Sequence, residues 1–180
     1  MELCVRTGAG ERARRRSVKD IYTASFQKED RMPFWMMRLM AKRADTELLT
    51  FHDGDALCGF AYVAAVDGLA FVMFLAVDEA VRAKGYGSGM LDKIRSRYPD
   101  HKILVSIERC DEDVPDIVQR VRRKAFYQRN GYAPTGFLIE LGNKKQEILI
   151  QNGVFDAAEF ALFFKKYSNG AMKPKIWKIN

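Results

Sequence analysis

The residues best equipped for chemistry are gathered in one stretch, Val77-Asp78-Glu79-Ala80-Val81-Arg82-Ala83-Lys84-Gly85-Tyr86-Gly87-Ser88-Gly89-Met90-Leu91, where an apolar strand gives way to a helix. Glycines permit φ > 0 and let main-chain amides approach a ligand closely. The first turn of a helix adds N–H groups without intrahelical acceptors and the positive end of its dipole. Arg82 and Lys84 bring two full charges to the same rim. The chemistry open to such a turn is retention of a phosphate or diphosphate.

Spacing separates the phosphate motifs that share this logic. A P-loop needs Gly-x-x-x-x-Gly-Lys-Ser/Thr, and the chain has no such run. A dinucleotide fingerprint needs Gly-x-Gly-x-x-Gly directly after its strand; here the third glycine would fall on Met90 and seven residues separate Val77 from Gly85, which weakens that reading without removing it. What the chain does carry is Arg-x-x-Gly-x-Gly, as Arg82, Gly85 and Gly87, after an apolar strand that ends in Val77. A second motif follows it, Phe126-Tyr127, three residues, then Gly131-Tyr132. In physical terms Gly131 suits the left-handed residue that ends a helix, and Asn130 tolerates the cap.

These two motifs, in this order with a strand between them, resemble those of the GNAT superfamily of acyl-CoA-dependent N-acetyltransferases. The resemblance covers most of residues 46–150. It implies acetyl-CoA as cofactor and a primary amine of a small molecule or peptide as acceptor, attacked directly. Carried over residue by residue, it sets Leu75, Ala76 and Val77 along the pantetheine and thioester. Arg82, Ala83, Lys84, Gly85, Tyr86, Gly87 and Ser88 fall to the pyrophosphate. Tyr127 takes the position of the acid that protonates the leaving thiolate; a tyrosine that only packs on the cofactor would occupy the same place. Glu108, ending the strand Lys102–Ile107 where open α/β sheets place their ligands, is the candidate base, with a solvated edge residue or a water chain as the alternatives. The family's acceptor pocket is walled by the first two helices, here around Phe26–Trp35, although methionines and aromatics at helical spacing are more often plain core, and core is the reading adopted for this segment. One departure stands out: Arg120 and Arg123 occupy positions seven and four before Tyr127 where the family often has Asn and Ala. They are free to reach a phosphate, a substrate carboxylate or solvent.

Composition narrows the alternatives. At 180 residues the chain fits one domain, residues 1–180, with the motif core at 46–150 and a C-terminal helix and basic tail at 154–180. Cys4, Cys58 and Cys110 show no Cys-x-x-Cys spacing, and His52 and His101 lie far apart, which argues against a metal or redox site. The longest apolar run, Leu69 to Val77, is too short to span a bilayer, and the N-terminus lacks a signal pattern, so the reading is cytoplasmic with no membrane partner, as monomer or homodimer. The formal charge of +7 concentrates in Arg12, Arg14, Arg15, Arg16 and Lys19, then in Lys165, Lys166, Lys173, Lys175 and Lys178. Few aromatics interleave these basic residues, which weighs against nucleic acid and for solvated faces. The acidic run Glu108, Asp111, Glu112, Asp113 and Asp116 could draw a cationic amine or simply open a helix.

Two other functions stay open on these residues: a non-catalytic acyl-CoA-binding or sensing module, and a dinucleotide-dependent enzyme with Glu108 on a ribose.

The elements that must position these groups follow from periodicity. Ser17-Val18-Lys19-Asp20 reads as a capping-box start of a helix running through Phe26, and a second helix starts near Pro33. Strands are expected at 47–52, 56–66 and 69–77, joined at Asp53-Gly54 and Asp67-Gly68, with the third buried on both faces. Tyr86, Met90, Leu91, Ile94 and Tyr98 mark the helix of a parallel crossover to the strand at 102–107. Ile117, Val118, Val121 and Ala125 mark another helix, then come strands at 132–141 and 146–151. A last helix is capped by Asp156 with Glu159, buries Phe160, Phe163, Phe164 and Tyr167, and stops at Gly170. The tail from Ala171 reads as loosely held. The expected fold is α/β (α+β): a mixed, largely antiparallel central sheet of six to seven strands, GNAT-like, with one parallel βαβ crossover and helices on both faces.

Overall fold

Long apolar runs between Thr46 and Gln151 form the buried strands that carry the candidate site. The computed structural model describes residues 3–8, 12–111 and 114–179, with only the backbone of 12–16. The element order is β1 (Leu3–Thr7), α1 (Arg12–Ser25), α2 (Phe34–Met40), β2 (Thr46–Asp53), β3 (Ala56–Val66), β4 (Leu69–Val77), α3 (Tyr86–Arg97), β5 (Lys102–Glu108), α4 (Ile117–Arg129), β6 (Ala133–Leu141), β7 (Lys144–Gln151), α5 (Ala157–Tyr167) and β8 (Lys175–Lys178). The strands form one sheet in the order β1-β2-β3-β4-β5-β7-β6-β8, mostly antiparallel with one parallel pair. The mixed α/β architecture expected from the sequence is therefore present, with eight strands in place of six to seven.

The chain divides into two compact units, Met1–Ala64 with Val72–Pro99, and Ala65–Phe71 with Asp100–Asn180. In the first, β1 pairs with β2 from Leu3↔Asp53 to Thr7↔Leu49, and β2 with β3 from Thr46↔Ala64 to Asp53↔Ala56. Adjacent residues on a strand point to opposite faces, and β3 uses both. Phe60 packs with Val18, Ile21, Tyr22 and Met37 of α1 and α2. Gly59, next to it, lies under Met90 of α3. The Tyr22 ring meets Phe26, Phe34, Phe60 and Phe74 with centroids 5.2–6.2 Å apart, and its hydroxyl donates to the Met32 carbonyl at 3.2 Å. Such tilted and edge-on pairs each contribute about 0.5–1.5 kcal/mol beyond their buried area.

In the second unit, β5, β7, β6 and β8 are antiparallel neighbours. The Phe71 ring lies 5.3–6.2 Å from Phe160, Phe163 and Phe164 of α5. Asp156 caps α5 by accepting from the Glu159 amide at 2.9 Å, while the Glu159 side chain pairs with Lys102 rather than closing a capping box. Gly170, at φ 80, ends the following turn by donating to the Lys165 carbonyl. The β3–β4 turn places Asp67 at φ 48 and Gly68 at φ 79, the paired left-handed geometry that suits a two-residue hairpin.

Three expectations are corrected. Helix α1 starts at Arg12, not Ser17: arginine is a good helix former, and nothing between 12 and 16 breaks the turn. The tail is held, because β8 pairs with β6 from Phe137↔Lys178 to Glu140↔Lys175. Val118 and Val121 lie on α4, the helix they were expected to mark; both are exposed, and α4 buries Tyr127. β4 is buried from Leu69 to Val72, but Met73, Phe74, Leu75 and Val77 are only half-buried.

The basic clusters have structural explanations where they are described. Lys165 and Lys166 sit in the last turn of α5, complementing its dipole, and Lys166 pairs with Asp67. Lys175 and Lys178 line the edge strand β8, where charge discourages pairing with another chain. The side chains of Arg12, Arg14, Arg15 and Arg16 lie outside the described residues.

Gly59 is the tightest point beneath the site. A Cβ there would stand 2.4 Å from the Ala76 carbonyl oxygen and 3.0 Å from Met90 Sδ and Cε. The backbone oxygen cannot give way as a side-chain tip can. Gly59→Ala is expected to cost about 1–3 kcal/mol, the usual cost of overpacking, read as a lower denaturation midpoint with an unchanged slope.

Candidate active site

The structure places the predicted residues in two sets. Leu75, Ala76, Val77 and Arg82–Ser88 lie in the first unit, and Glu108 and Tyr127 in the second.

The first set begins where β4 ends. Asp78 donates its amide to the Cys58 carbonyl at 2.8 Å, and its side chain accepts from the Ala80 amide at 3.1 Å, capping a single 3-10 turn over Glu79–Val81. Arg82 is extended, and Ala83 turns left-handed at φ 63. For a residue with a Cβ that conformation costs roughly 1–2 kcal/mol and persists only where the surroundings impose it. Gly85, at φ 83, caps α3. By helix geometry the amides of Tyr86, Gly87 and Ser88 have no acceptor within α3, whose first main-chain bond at this end runs from Gly89 to Gly85 at 3.1 Å. No acidic residue sits in the first turn to compete for that positive end. A Cβ built on Gly85 would meet nothing within 4 Å, so the bend is open outward. Arg82 and Lys84 are exposed beside it, Arg82 at 3.3 Å from Glu79. The turn fits a diphosphate in charge, amide supply and access.

Ser17, Asp20, Ile21, Ala24 and Ser25 of α1, with Asp78, Glu79 and Arg82, enclose a cavity of about 310 Å³ at the start of this turn. The expected acceptor wall, Phe26–Trp35, divides: Phe26, Met32 and Phe34 pack against the α1 core cluster, whereas Trp35 is exposed. Of the α2 methionines, Met37 is fully buried in the core and Met40 packs against the same cluster.

In the second unit Tyr127 is 8% exposed, its ring set against Phe126 and Tyr132 at centroid distances of 5.2 and 5.4 Å. Burial pushes its hydroxyl up to about 12; Arg123 pulls the other way and Glu108 adds to the rise. The structure thus brings Tyr127, Glu108 and Arg123 together. Arg123 donates to the Glu108 carboxylate. Burial alone would raise that carboxyl, but the Arg123 hydrogen bond and charge outweigh it and hold the group below the usual range. Gly131 takes φ 85 and ends the helix as expected, and Asn130 Nδ2 donates to the Phe126 carbonyl at 2.7 Å.

The acidic run is locally neutralised where it is described. Arg109 binds Asp111 through two nitrogens, and Arg120 spans Asp116 at 3.1 Å and the Arg109 carbonyl at 3.2 Å. Glu112 and Asp113 lie outside the described residues. Sequence reasoning missed the cavity of about 210 Å³ beside this loop, lined by Arg109, Cys110, Asp111, Lys124, Leu138, Glu147 and Ile179. Its floor is the pair of Lys124 with buried Glu147, at 2.7 and 2.9 Å. The available signal was a glutamate directly before the apolar run Ile148-Leu149-Ile150 of β7.

A family model described as an acetyltransferase (GNAT) domain matches residues 44–134. The chain belongs to the GNAT family. Among solved structures this GNAT domain is similar to a GNAT-family protein from Bacteroides thetaiotaomicron, at 18% identity and TM-score 0.70, over 93% of this chain and 97% of that one. It is similar to a GNAT acetyltransferase from Elizabethkingia anophelis with acetyl-CoA bound, at 13% identity and TM-score 0.58, over 84% and 98%. It is also similar to the PaiA N-acetyltransferase from Thermoplasma acidophilum in complex with coenzyme A, at 16% identity and TM-score 0.59, over 85% and 100%. At these identities the likeness carries the fold. No curated protein sequence matches the chain. Among the described residues no helix is long and apolar enough to cross a membrane.

Proposed function

We propose that residues 1–180 act as one N-acetyltransferase domain that moves an acetyl group from acetyl-CoA to a primary amine of a small molecule or peptide. The observation that carries this reading is the bend after β4: a left-handed Gly85, three amides without helical acceptors, and Arg82 and Lys84 at its rim. When bound, acetyl-CoA supplies a thioester whose carbonyl the amine can attack, with the CoA thiolate leaving.

The chain's own groups then divide the work. The amides of Tyr86, Gly87 and Ser88 hold the diphosphate, and the backbone of half-buried Leu75, buried Ala76 and half-buried Val77 aligns the pantetheine arm. Tyr127 serves the leaving sulfur. Complete transfer from a phenol near 12 to a thiolate whose acid has an ordinary value of about 8.5 would run uphill by roughly 5 kcal/mol. Tyr127 therefore donates a hydrogen bond to the developing thiolate, and solvent completes its protonation. Glu108 is the proposed proton acceptor for the amine. It is ionised near neutrality, and its pairing with Arg123 makes it a weak base, so it takes a proton only as that pair opens.

That same pairing favours a second reading, a CoA-binding module without turnover. One experiment decides between the two. Acetyl-CoA and CoA at 100 times their Kd are expected to stabilise the fold by about 2.7 kcal/mol, with NAD giving no shift. Thiol release with a panel of amines then follows, and Glu108→Gln lowers it. Melting unchanged by CoA removes the cofactor reading; stabilisation with no thiol release on any amine selects the module.

A further inference from the structure

We infer that Asp53, at the end of β2, is a positioning residue for diphosphate binding and acts through the side chain of Tyr86. This rests on the cofactor reading above. Tyr86 is the first residue of α3 and stands between the two glycines of the bend, so its amide is one of those offered to the ligand. Its hydroxyl donates to Asp53 Oδ2 at 2.6 Å, across 33 residues of sequence. The carboxylate keeps the phenol neutral, with its titration raised to about 12 chiefly by that hydrogen bond.

The surroundings make this bond more than a chance contact. The excursion from Asp78 to Gly85 is tied at its start to Cys58 of β3, by the Asp78 amide at 2.8 Å, and just past its end to Asp53 by Tyr86. Both anchors belong to the hairpin of β2 and β3, whose turn is tightened by Gly54 at φ 59. Between them the chain holds Ala83 left-handed. At its far end α3 is tied to β2 again, by Arg97 Nε and Tyr98 Oη donating to Glu47 at 2.7 and 2.6 Å. Six strand steps from Glu47 to Asp53 span about 20 Å, and twelve helical steps from Tyr86 to Tyr98 about 18 Å. β2 therefore grips α3 at both ends, and only the Asp53 end faces the cradle. A helix end fixed before the ligand arrives has less ordering left to do on binding.

Calorimetric titration of CoA into the whole chain tests this. Tyr86→Phe and Asp53→Ala are each expected to raise the CoA Kd about tenfold, the order a hydrogen bond to a charged group carries. The double variant should lose no more than either single, because both remove one bond. Asp53→Asn retains an acceptor and should recover most of the affinity. Glu47→Ala loosens the same helix at its other end and should lower the melting temperature with the CoA Kd within about twofold of wild type. Unchanged affinity in Tyr86→Phe, additive losses in the double variant, or an equal loss in Glu47→Ala would each overturn the inference while leaving the cofactor reading in place. A wild-type chain that does not bind CoA removes both.

Discussion

Tyr127→Phe is expected to lower kcat by about 10- to 100-fold at saturating acetyl-CoA and amine, while the CoA Kd stays within about twofold. The size follows from the role. A hydrogen bond to a charged group is worth about 1.5–3 kcal/mol, whereas a full general acid would carry 10²–10⁴-fold. The phenylalanine keeps the ring contacts with Phe126 and Tyr132, so packing is conserved and only the hydroxyl is lost. The pH profile adds a sign. With the hydroxyl pushed up to about 12, Tyr127 is neutral throughout the range in which amines deprotonate. Wild-type activity should therefore rise as the acceptor amine loses its proton and then level, with no alkaline fall before about pH 11. Steady-state kinetics between about pH 6 and 11, read against the same variant, check both points. A variant with wild-type kcat would leave Tyr127 as a packing residue.

Gly87→Trp should weaken CoA binding by 100-fold or more, measured by calorimetry. Gly87 is the second residue of α3, half-buried, with its amide among the three at the cradle. An indole there would compete for the space the diphosphate needs; a loss of about 2.8 kcal/mol already gives that factor. The ligand-free melting temperature should fall by only a few degrees, because tryptophan is compatible with a helix. Wild-type affinity in this variant would move the cofactor away from the bend.

The parts legible from sequence are those whose cause lies within a few residues. Gly131, Gly170 and the Asp67-Gly68 turn were readable because left-handed backbone favours residues of their kind, and each takes φ > 0. The α5 stripe was readable because four aromatics at helical spacing have one face to bury. β1 and β8 were not, since short edge strands are decided by the partner they meet. The start of α1 misled because Ser17 carries a genuine cap signal that a longer helix simply absorbs. Val118 and Val121 fit a helical stripe yet face outward, since Tyr127 took the buried side.

At the site the division is the same. Arg82, Gly85 and Gly87 point to the proposed phosphate cradle by type and spacing, and the motif around Tyr127 carries the second half of the resemblance to a GNAT domain. Which distant groups pair was decided only by the folded chain: the ion pairs of Arg123 with Glu108 and Lys124 with Glu147, and the hydrogen bond of Tyr86 to Asp53, join residues separated by 15, 23 and 33 positions. Capping, turn geometry and periodicity act over a helical turn or a strand step, so they are written locally. Ion pairs and the pKa shifts they cause need loop closure to bring their partners together and burial to lower the surrounding dielectric, and neither exists before the sheet forms.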